Sequence, residues 1–356
     1  MDHDQRSRLA AHMVKIGLPL GDAPFTRFSG GLANQNYLLE AGGRSLVLRR
    51  PPDGELPPGA HNMAREYAVL SRLHRAFPLA PEAVHLCEDV SVLGVPFQLI
   101  TYVPGLVIKG DHHLLLEDPA QAAAVSAMLV ETLVALHEVD AEQIGLGDLG
   151  RPEGFAARAV EGWGKRAQRL LEADGPADVI GDADGNPDRD ATARLSDEIG
   201  AWLRAASLRQ REPTLLHCDF KLDNMILDPL SLRPVAVVDW DMGTRGDPMF
   251  DLATLLSYWS QPGDPPARLQ LAQMPSVMPG FATRDAVVQA YARARGVEVD
   301  DYPVFAVLAM YKLAVVFLQL HALYARGATD DPRYAAFKAL GQELMVVAHD
   351  LRAEAR

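Results

Sequence analysis

A chain of 356 residues that is 48% hydrophobic and 23% charged can bury a core, in one large or two moderate domains. Its 47 acidic side chains against 34 lysines and arginines leave a formal net charge of -13. That balance argues against a nucleic-acid polymer as partner, because proteins that bind one neutralise its phosphates with a basic face.

The two cysteines, Cys87 and Cys218, lie far apart and offer neither a disulfide framework nor a metal-ligand spacing. The first residues, MDHDQRSRLAAHMVKIG, carry no apolar signal core and read as an amphipathic helix, so a reducing, cytoplasmic setting is expected. Strand patterns follow at Phe25 to Phe28, Tyr37 to Leu39 and Ser45 to Leu48, the last two joined by a turn at Ala41-Gly42-Gly43. Between the first two lies the loop Ser29-Gly30-Gly31-Leu32-Ala33-Asn34-Gln35-Asn36, whose glycines would let backbone N–H groups approach an anion; ordinary hairpins carry paired glycines just as often. In Leu46-Val47-Leu48-Arg49-Arg50 the strand period puts Val47 and Arg49 on one face and turns Arg50 to the other. An arginine at 49 can fork onto a phosphate or carboxylate, or it can sit in solvent on an edge strand.

The prolines and glycines from Pro51 to Gly59 form a loop, and His61 to Arg75, which contains Glu66, is helical. Val84 to Glu88 and Val95 to Ile100 are two further strands, the second running into Thr101-Tyr102-Val103-Pro104-Gly105. Beyond this Pro-Gly break helices dominate: Pro119 to His137, Gly154 to Glu172 with Arg158, Lys165, Arg166 and Arg169, and Ala191 to Ala206. The acidic, Gly- and Pro-rich stretch Asp174 to Asp190 reads as a surface loop, and the helices from Thr283 onward complete the chain. The pattern predicts an α+β protein, with a small lobe of antiparallel sheet plus helix over 1–105 and a larger, mainly helical lobe over 106–356. Tyr302 to Leu323 is apolar over about the length of a bilayer span. Lys312 at its centre would cost about 2.5 to 3.5 kcal/mol there, so a buried helix and no membrane are expected.

The chemistry concentrates between Leu215 and Asp251. In His217-Cys218-Asp219-Phe220-Lys221-Leu222-Asp223-Asn224 a carboxylate stands five residues before a carboxamide, with a lysine between them. An apolar hairpin pattern follows, Met225 to Leu227 and Val235 to Val238, and then Asp239 at the end of a buried strand. Turn chemistry accounts for Asp223 and Asn224 but not for His, Asp and Lys in this order beside a second strand-end Asp. The spacing resembles the catalytic loop of kinases, which implies that Asp219 would orient an attacking hydroxyl and Lys221 sit beside a transferring phosphoryl group, with Asn224 and Asp239 as the oxygen ligands that magnesium takes. Asp247 and Pro248 mark a helix start, and Asp251, inside the apolar helix that follows, needs a partner if buried.

HCDFKLDN followed by VVDWD and GDPMFDLA resembles the aminoglycoside phosphotransferase family, small-molecule kinases with a bilobal, protein-kinase-like fold. The resemblance is specific in this stretch and extends in outline over nearly the whole chain. It implies ATP and Mg2+ as cofactors and a small-molecule hydroxyl acceptor as partner. It implies Asp219 and Lys221 as catalytic residues, Asn224 and Asp239 as metal ligands, and Asp251 as a support for the backbone of the catalytic loop. On the nucleotide it places Gly30, Gly31 and Asn34 at the phosphates and Arg49, where the family usually has lysine, with Glu66 as partner. The main chain of the hinge at 101–105, with Tyr102 and Val103, would meet the adenine.

LRRPP at Leu48 to Pro52, REY at Arg65 to Tyr67 and RPEGF at Arg151 to Phe155 further resemble the branch whose kinase domains are fused to acyl-CoA dehydrogenases. That branch implies a hydroxyacyl group carried on coenzyme A, or a related hydroxy acid, as acceptor. The basic helix Gly154 to Glu172 suits such an anion, and it equally suits a solvated face. An aminoglycoside or other small alcohol as acceptor stays open. So does a non-catalytic nucleotide-binding protein of the same fold, which the arginine at 49 favours and the intact Asp219, Asn224 and Asp239 oppose. The oligomeric state is not indicated.

Overall fold

The computed structural model describes residues 1–28, 34–51, 63–171, 187–329 and 331–355. Backbone packing divides the chain into two compact units, one of 1–107, 139–149 and 224–243, the other of 108–138, 150–223 and 244–356.

The first unit is built on strands β1 (Thr26–Arg27), β2 (Gln35–Ala41), β3 (Arg44–Arg50), β4 (Ala83–Cys87) and β5 (Phe97–Thr101). They form one antiparallel sheet in the order β1-β2-β3-β5-β4. β2 and β3 pair over their whole length, from Gln35 opposite Arg50 to Ala41 opposite Arg44. They are joined by Gly42 and Gly43, whose φ of 57° and 76° make the two-residue turn that follows the strand twist. Alternation along β3 sends Leu46 and Leu48 into a core with Leu39, Phe97 and Leu99, which helix α1 (His3–Lys15) completes through Leu9 and Met13. α1 opens on a capping box in which Asp2 and Gln5 exchange side-chain and backbone bonds. Helix α2 (Met63–Leu73) buries Glu66 along with Val69, Leu70 and Leu73. The single turn α3 (Val90–Leu93) follows β4, started by the Asp89 side chain and stopped by Gly94 at a φ of 83°.

After β6 (Thr214–Leu216), a strand of the second unit, the chain returns to the first as the hairpin β7 (Met225–Leu227) and β8 (Pro234–Val237). Leu106 and Leu227 exchange two backbone hydrogen bonds of 2.8 Å, and the Val237 N–H donates to the Leu79 carbonyl at 2.7 Å. Gly105 makes this approach possible, since a Cβ on it would lie 2.5 Å from Ile226 Cγ2 and 2.6 Å from the Leu227 oxygen. The division therefore differs from a single cut near residue 105: the first segment ends at 107, and 139–149 and 224–243, which the sequence reading gives to the second lobe, pack with the first.

The second unit is mainly helical: α4 (Pro119–His137), α5 (Phe155–Leu171), α6 (Pro187–Ala205), α7 (Met249–Ser257), α8 (Pro266–Leu269), α9 (Arg284–Arg295), α10 (Tyr302–Ala325) and α11 (Phe337–Glu354), with β6 paired to β9 (Thr244–Gly246). α10 packs against α5, α6, α7 and α11 and forms the centre of this unit. α4 and α10 are both long and apolar enough to cross a membrane by length and composition; here 56% and 67% of those stretches are buried inside the protein. α6 starts at Pro187, so residues 187–190 are helical rather than the end of a loop, and 174–186 lie outside the described residues. α7 starts at Met249, one residue later than the Asp-Pro signal suggests, and Asp247 Oδ1 still accepts the Met249 N–H at 2.9 Å.

Candidate functional site

In the first unit, Arg49 stands on β3, which is flanked by β2 and β5, so it is neither on a sheet edge nor in solvent: the residue is only 6% exposed. Its Nε donates to Glu66 Oε2 at 2.7 Å, and its Nη2 donates to Asp239 Oδ1. Glu66, fully buried on α2, also accepts from Gln98 Nε2 at 2.5 Å and from the Trp240 N–H at 3.2 Å. A carboxylate without water is tolerated only when donors surround it in this way. Burial pushes the Glu66 carboxyl up, opposed chiefly by Arg49. Burial alone would draw the Arg49 guanidinium down, but Glu66 and Asp239 outweigh it and hold Arg49 above its ordinary value, permanently charged.

Asp239 adopts a left-handed backbone, φ 72°, which aspartate enters more readily than most residues. The preceding Val238 N–H donates to the Asn224 carbonyl at 2.9 Å, so the backbones carrying Asn224 and Asp239 are tied together at the end of the β7–β8 hairpin. The Asn224 carboxamide, just before β7, and the Asp239 carboxylate, just after β8, are hard oxygen donors, and this donor set fits magnesium, which draws the rest of its shell from water and phosphate oxygens. Asn34 is buried just before β2. The Tyr102 ring stacks on Phe28, with centroids 6.1 Å apart, and its N–H donates to the Ser45 carbonyl at 3.2 Å. Gly30 and Gly31 lie outside the described residues.

In the second unit, the loop carrying Asp219 turns through Cys218, whose φ of 66° is left-handed and costly for a side chain of this kind. Two buried charges hold that turn. Asp251 on α7 accepts the His217 N–H at 2.6 Å and the Cys218 N–H at 2.7 Å; Lys312 on α10 donates to the Cys218 carbonyl at 2.6 Å. Burial alone would raise the Asp251 carboxyl, but His137, 3.5 Å away, and the His217 amide outweigh it and hold it below the usual range. His137 is fixed in turn by the Tyr291 hydroxyl at 2.6 Å. Burial draws the Lys312 ammonium below its ordinary value, against the opposing pull of Asp219 and Asp251.

On the loop so held, Asp219 Oδ1 accepts from the Tyr258 hydroxyl at 3.2 Å and Oδ2 lies 3.5 Å from Lys221 Nζ. Lys221 also lies 3.6 Å from Asp223 Oδ1 and 4.7 Å over the Tyr258 ring. Burial, with Asp219 adding to it, pushes the Tyr258 phenol up, so it stays a neutral donor; burial likewise raises Asp223, opposed by Lys221. Asp219 is thus a partly exposed carboxylate held between a phenol and an ammonium.

The structure brings Arg49, Glu66 and Asp239 into direct contact, and likewise Asp219 and Lys221. Sequence reasoning missed Tyr258, Gln98 and the function of Lys312. For Lys312 the signal was present, because a cation inside an apolar helix requires a buried partner, but nothing in the sequence said where that partner would be.

Residues 24–297 match the model of the family described as the phosphotransferase enzyme family. The chain is 32% identical over 324 residues to acyl-CoA dehydrogenase family member 11 of Gallus gallus, covering 87% of this chain and 38% of that protein, so it spans well under half the length of this relative. Among solved structures, a candidate aminoglycoside phosphotransferase of Ralstonia eutropha JMP134 superposes with a TM-score of 0.77 at 23% identity, covering 99% of both chains. A thermostable mutant of the aminoglycoside phosphotransferase APH(4)-Ia, in a ternary complex with AMP-PNP and hygromycin B, superposes with a TM-score of 0.57 at 14% identity, covering 96% of this chain and 98% of the other. The antiparallel-sheet unit and the helical unit are those of the protein-kinase-like fold.

Proposed function

The chain belongs to the phosphotransferase enzyme family, and from that premise we propose that it moves the γ-phosphoryl group of ATP to the hydroxyl of a hydroxyacyl-CoA or related hydroxy acid. The observation that carries the chemistry is the Asp219 carboxylate, presented on a left-handed turn that Asp251 and Lys312 hold from buried positions. A phosphoryl transfer asks little covalent work of a protein and much placement of charge. Asp219 orients the acceptor hydroxyl and takes its proton as the new P–O bond forms and the bond to the leaving ADP oxygen breaks. Tyr258 fixes the carboxylate by donating to it, and Lys221 puts a cation beside the group in transit. Asn224 and Asp239 hold magnesium, which when bound neutralises charge on the nucleotide phosphates.

Arg49 takes the part usually played by lysine: its fork is fixed on Glu66 and Asp239, and its remaining donors serve the phosphates. Asn34, buried just before β2, is assigned to those phosphates, as the sequence resemblance also implies for Gly30 and Gly31. The Tyr102 N–H is engaged by Ser45, so the adenine is read by the Tyr102 carbonyl and the Val103 main chain. The nucleotide complex of a protein with the same fold supports ATP as donor. The name of the Gallus gallus relative, together with the basic residues of α5, supports an acyl-CoA-like acceptor. Both cysteines are free thiols, in keeping with work in the cytoplasm.

A coupled ADP-release screen with Mg-ATP, run against hydroxyacyl-CoAs of several chain lengths and against aminoglycosides, tests the acceptor. Turnover on hydroxyacyl-CoAs with none on aminoglycosides is expected. The reverse pattern overturns the acceptor and leaves the kinase chemistry in place.

A further inference from the structure

We propose that His12, His85 and Cys87 form a binding site for a borderline-soft divalent cation of the Zn2+ type, which fastens α1 to β4. All three residues belong to the first unit, and none is among those assigned above to phosphoryl transfer. His85 and Cys87 alternate by two along β4 and so share a face of the strand, and His12, in the last turn of α1, meets them there. The two imidazoles approach Nε2 to Nε2 at 2.9 Å, and the ligand atoms of all three side chains lie within 4.8 Å of one another.

Zinc bonds of about 2.0–2.1 Å to nitrogen and about 2.3 Å to sulfur, at tetrahedral angles, need N···N near 3.3 Å and N···S near 3.6 Å. Side-chain movements of about an ångström therefore close a shell around one ion, with a fourth position for water. Two imidazoles and a thiol select zinc over magnesium or calcium, which prefer oxygen. The surroundings suit a cation. The Asp89 carboxylate interacts with His12, and the edge of Phe97 contributes an apolar wall, its ring centroid 5.8 Å from that of His12. Both histidines are half-buried, which leaves a way in, while Cys87 is only 3% exposed. The mechanical role follows from what α1 already does: it supplies Leu9 and Met13 to the sheet core and is bonded to the α3 turn by Arg8 Nε on the Val92 carbonyl at 3.1 Å. A metal at His12 adds a link from the C-terminal turn of α1 to β4.

The test uses the full chain stripped of metal and titrated with Co2+, then with Zn2+. One Co2+ per chain is expected to bind, with a near-ultraviolet thiolate-to-cobalt band and the visible bands of tetrahedral cobalt, and Zn2+ should displace it. Cys87→Ser removes the near-ultraviolet band, His12→Gln and His85→Gln each weaken zinc binding at least tenfold, and Zn2+ raises the Tm of the wild-type chain but not of His12→Gln. His12 is half-buried on a helix, so its variant is expected to fold, and circular dichroism checks that it does. Absence of the thiolate band in the wild-type chain overturns the proposal whatever the variants do. Zinc uptake that is unchanged in all three variants does the same.

Discussion

Replacing Lys312 by methionine tests the most unexpected part of the loop's support. The side chain keeps an unbranched apolar stem of similar size but loses the ammonium that donates to the Cys218 carbonyl at 2.6 Å. A hydrogen bond to a charged group contributes about 1.5–3 kcal/mol, and the left-handed turn it stabilises costs about 1–2 kcal/mol. If that bond holds the turn in its working conformation, its loss lowers the population of the competent loop, and hence turnover, by about tenfold to a hundredfold at about 1.4 kcal/mol per factor of ten. Global stability should change little, because the methionine no longer requires a charge to be buried, which offsets the lost bond.

The assay is kcat and the KM for ATP alongside thermal denaturation, with kcat falling while KM and Tm stay close to wild type. A kcat within twofold of wild type refutes the reasoning and makes the contact incidental. A pH series adds an independent check. Burial sets the Lys312 pKa below its ordinary value, so on raising the pH the folded state releases this proton before the unfolded state does. In that window the unfolded state binds more protons, and stability rises with pH. The difference in stability between wild type and Lys312→Met should therefore move in favour of wild type as the pH climbs toward the ordinary lysine value of about 10.4. A difference that stays flat contradicts the shift.

Other substitutions separate the remaining roles. Asp239→Ala should abolish magnesium-dependent ATP binding, and unchanged Mg-ATP affinity by calorimetry would make Asp239 purely structural. Arg49→Ala should raise the KM for ATP and lower kcat, with Arg49→Lys recovering only part of both because an ammonium does not reproduce the fork onto Glu66 and Asp239; full recovery by Lys would show that the charge alone matters. Arg50→Ala should lower Tm and leave KM alone, because Arg50 points to the opposite face of β3 and is only 1% exposed. Asp251→Asn should cost about 3–5 kcal/mol in stability as well as turnover, since the two loop N–H groups go to the two different carboxylate oxygens and an amide puts an NH2 against one of them; an unaltered urea midpoint would contradict this.

Much of this was legible in the residues because it is local. The HCDFKLDN loop, the strand that delivers Asp239, the facing of Val47 and Arg49 and the need of Asp251 for a partner all follow from spacing and period over a few residues. What remained hidden depends on contacts between distant parts of the chain. Lys312 and the carbonyl it holds are 94 residues apart, and the polarity pattern of α10 shows only that a cation is out of place. His12 and His85 are 73 apart, so cysteine and histidine spacing gave no hint of their cluster with Cys87. The edge-strand alternative for Arg49 fails because sheet order is a tertiary property: β5 pairs beside β3 although β4 precedes it in the chain. The segment 224–243 packs with the first unit through hydrogen bonds to Leu106 and Leu79, which no composition shift marks.

The central claim is that Asp219 serves as the base in phosphoryl transfer from ATP. Its most direct test is product analysis by phosphorus NMR and mass spectrometry after incubating the protein with Mg-ATP and a hydroxyacyl-CoA, with Asp219→Asn run in parallel and nucleotide binding measured for both. A phosphoester on the acceptor hydroxyl is predicted for the wild-type chain, formed about a hundredfold or more slowly by the variant although it binds the nucleotide as well. Equal rates for the two proteins, at matched nucleotide occupancy, would contradict it.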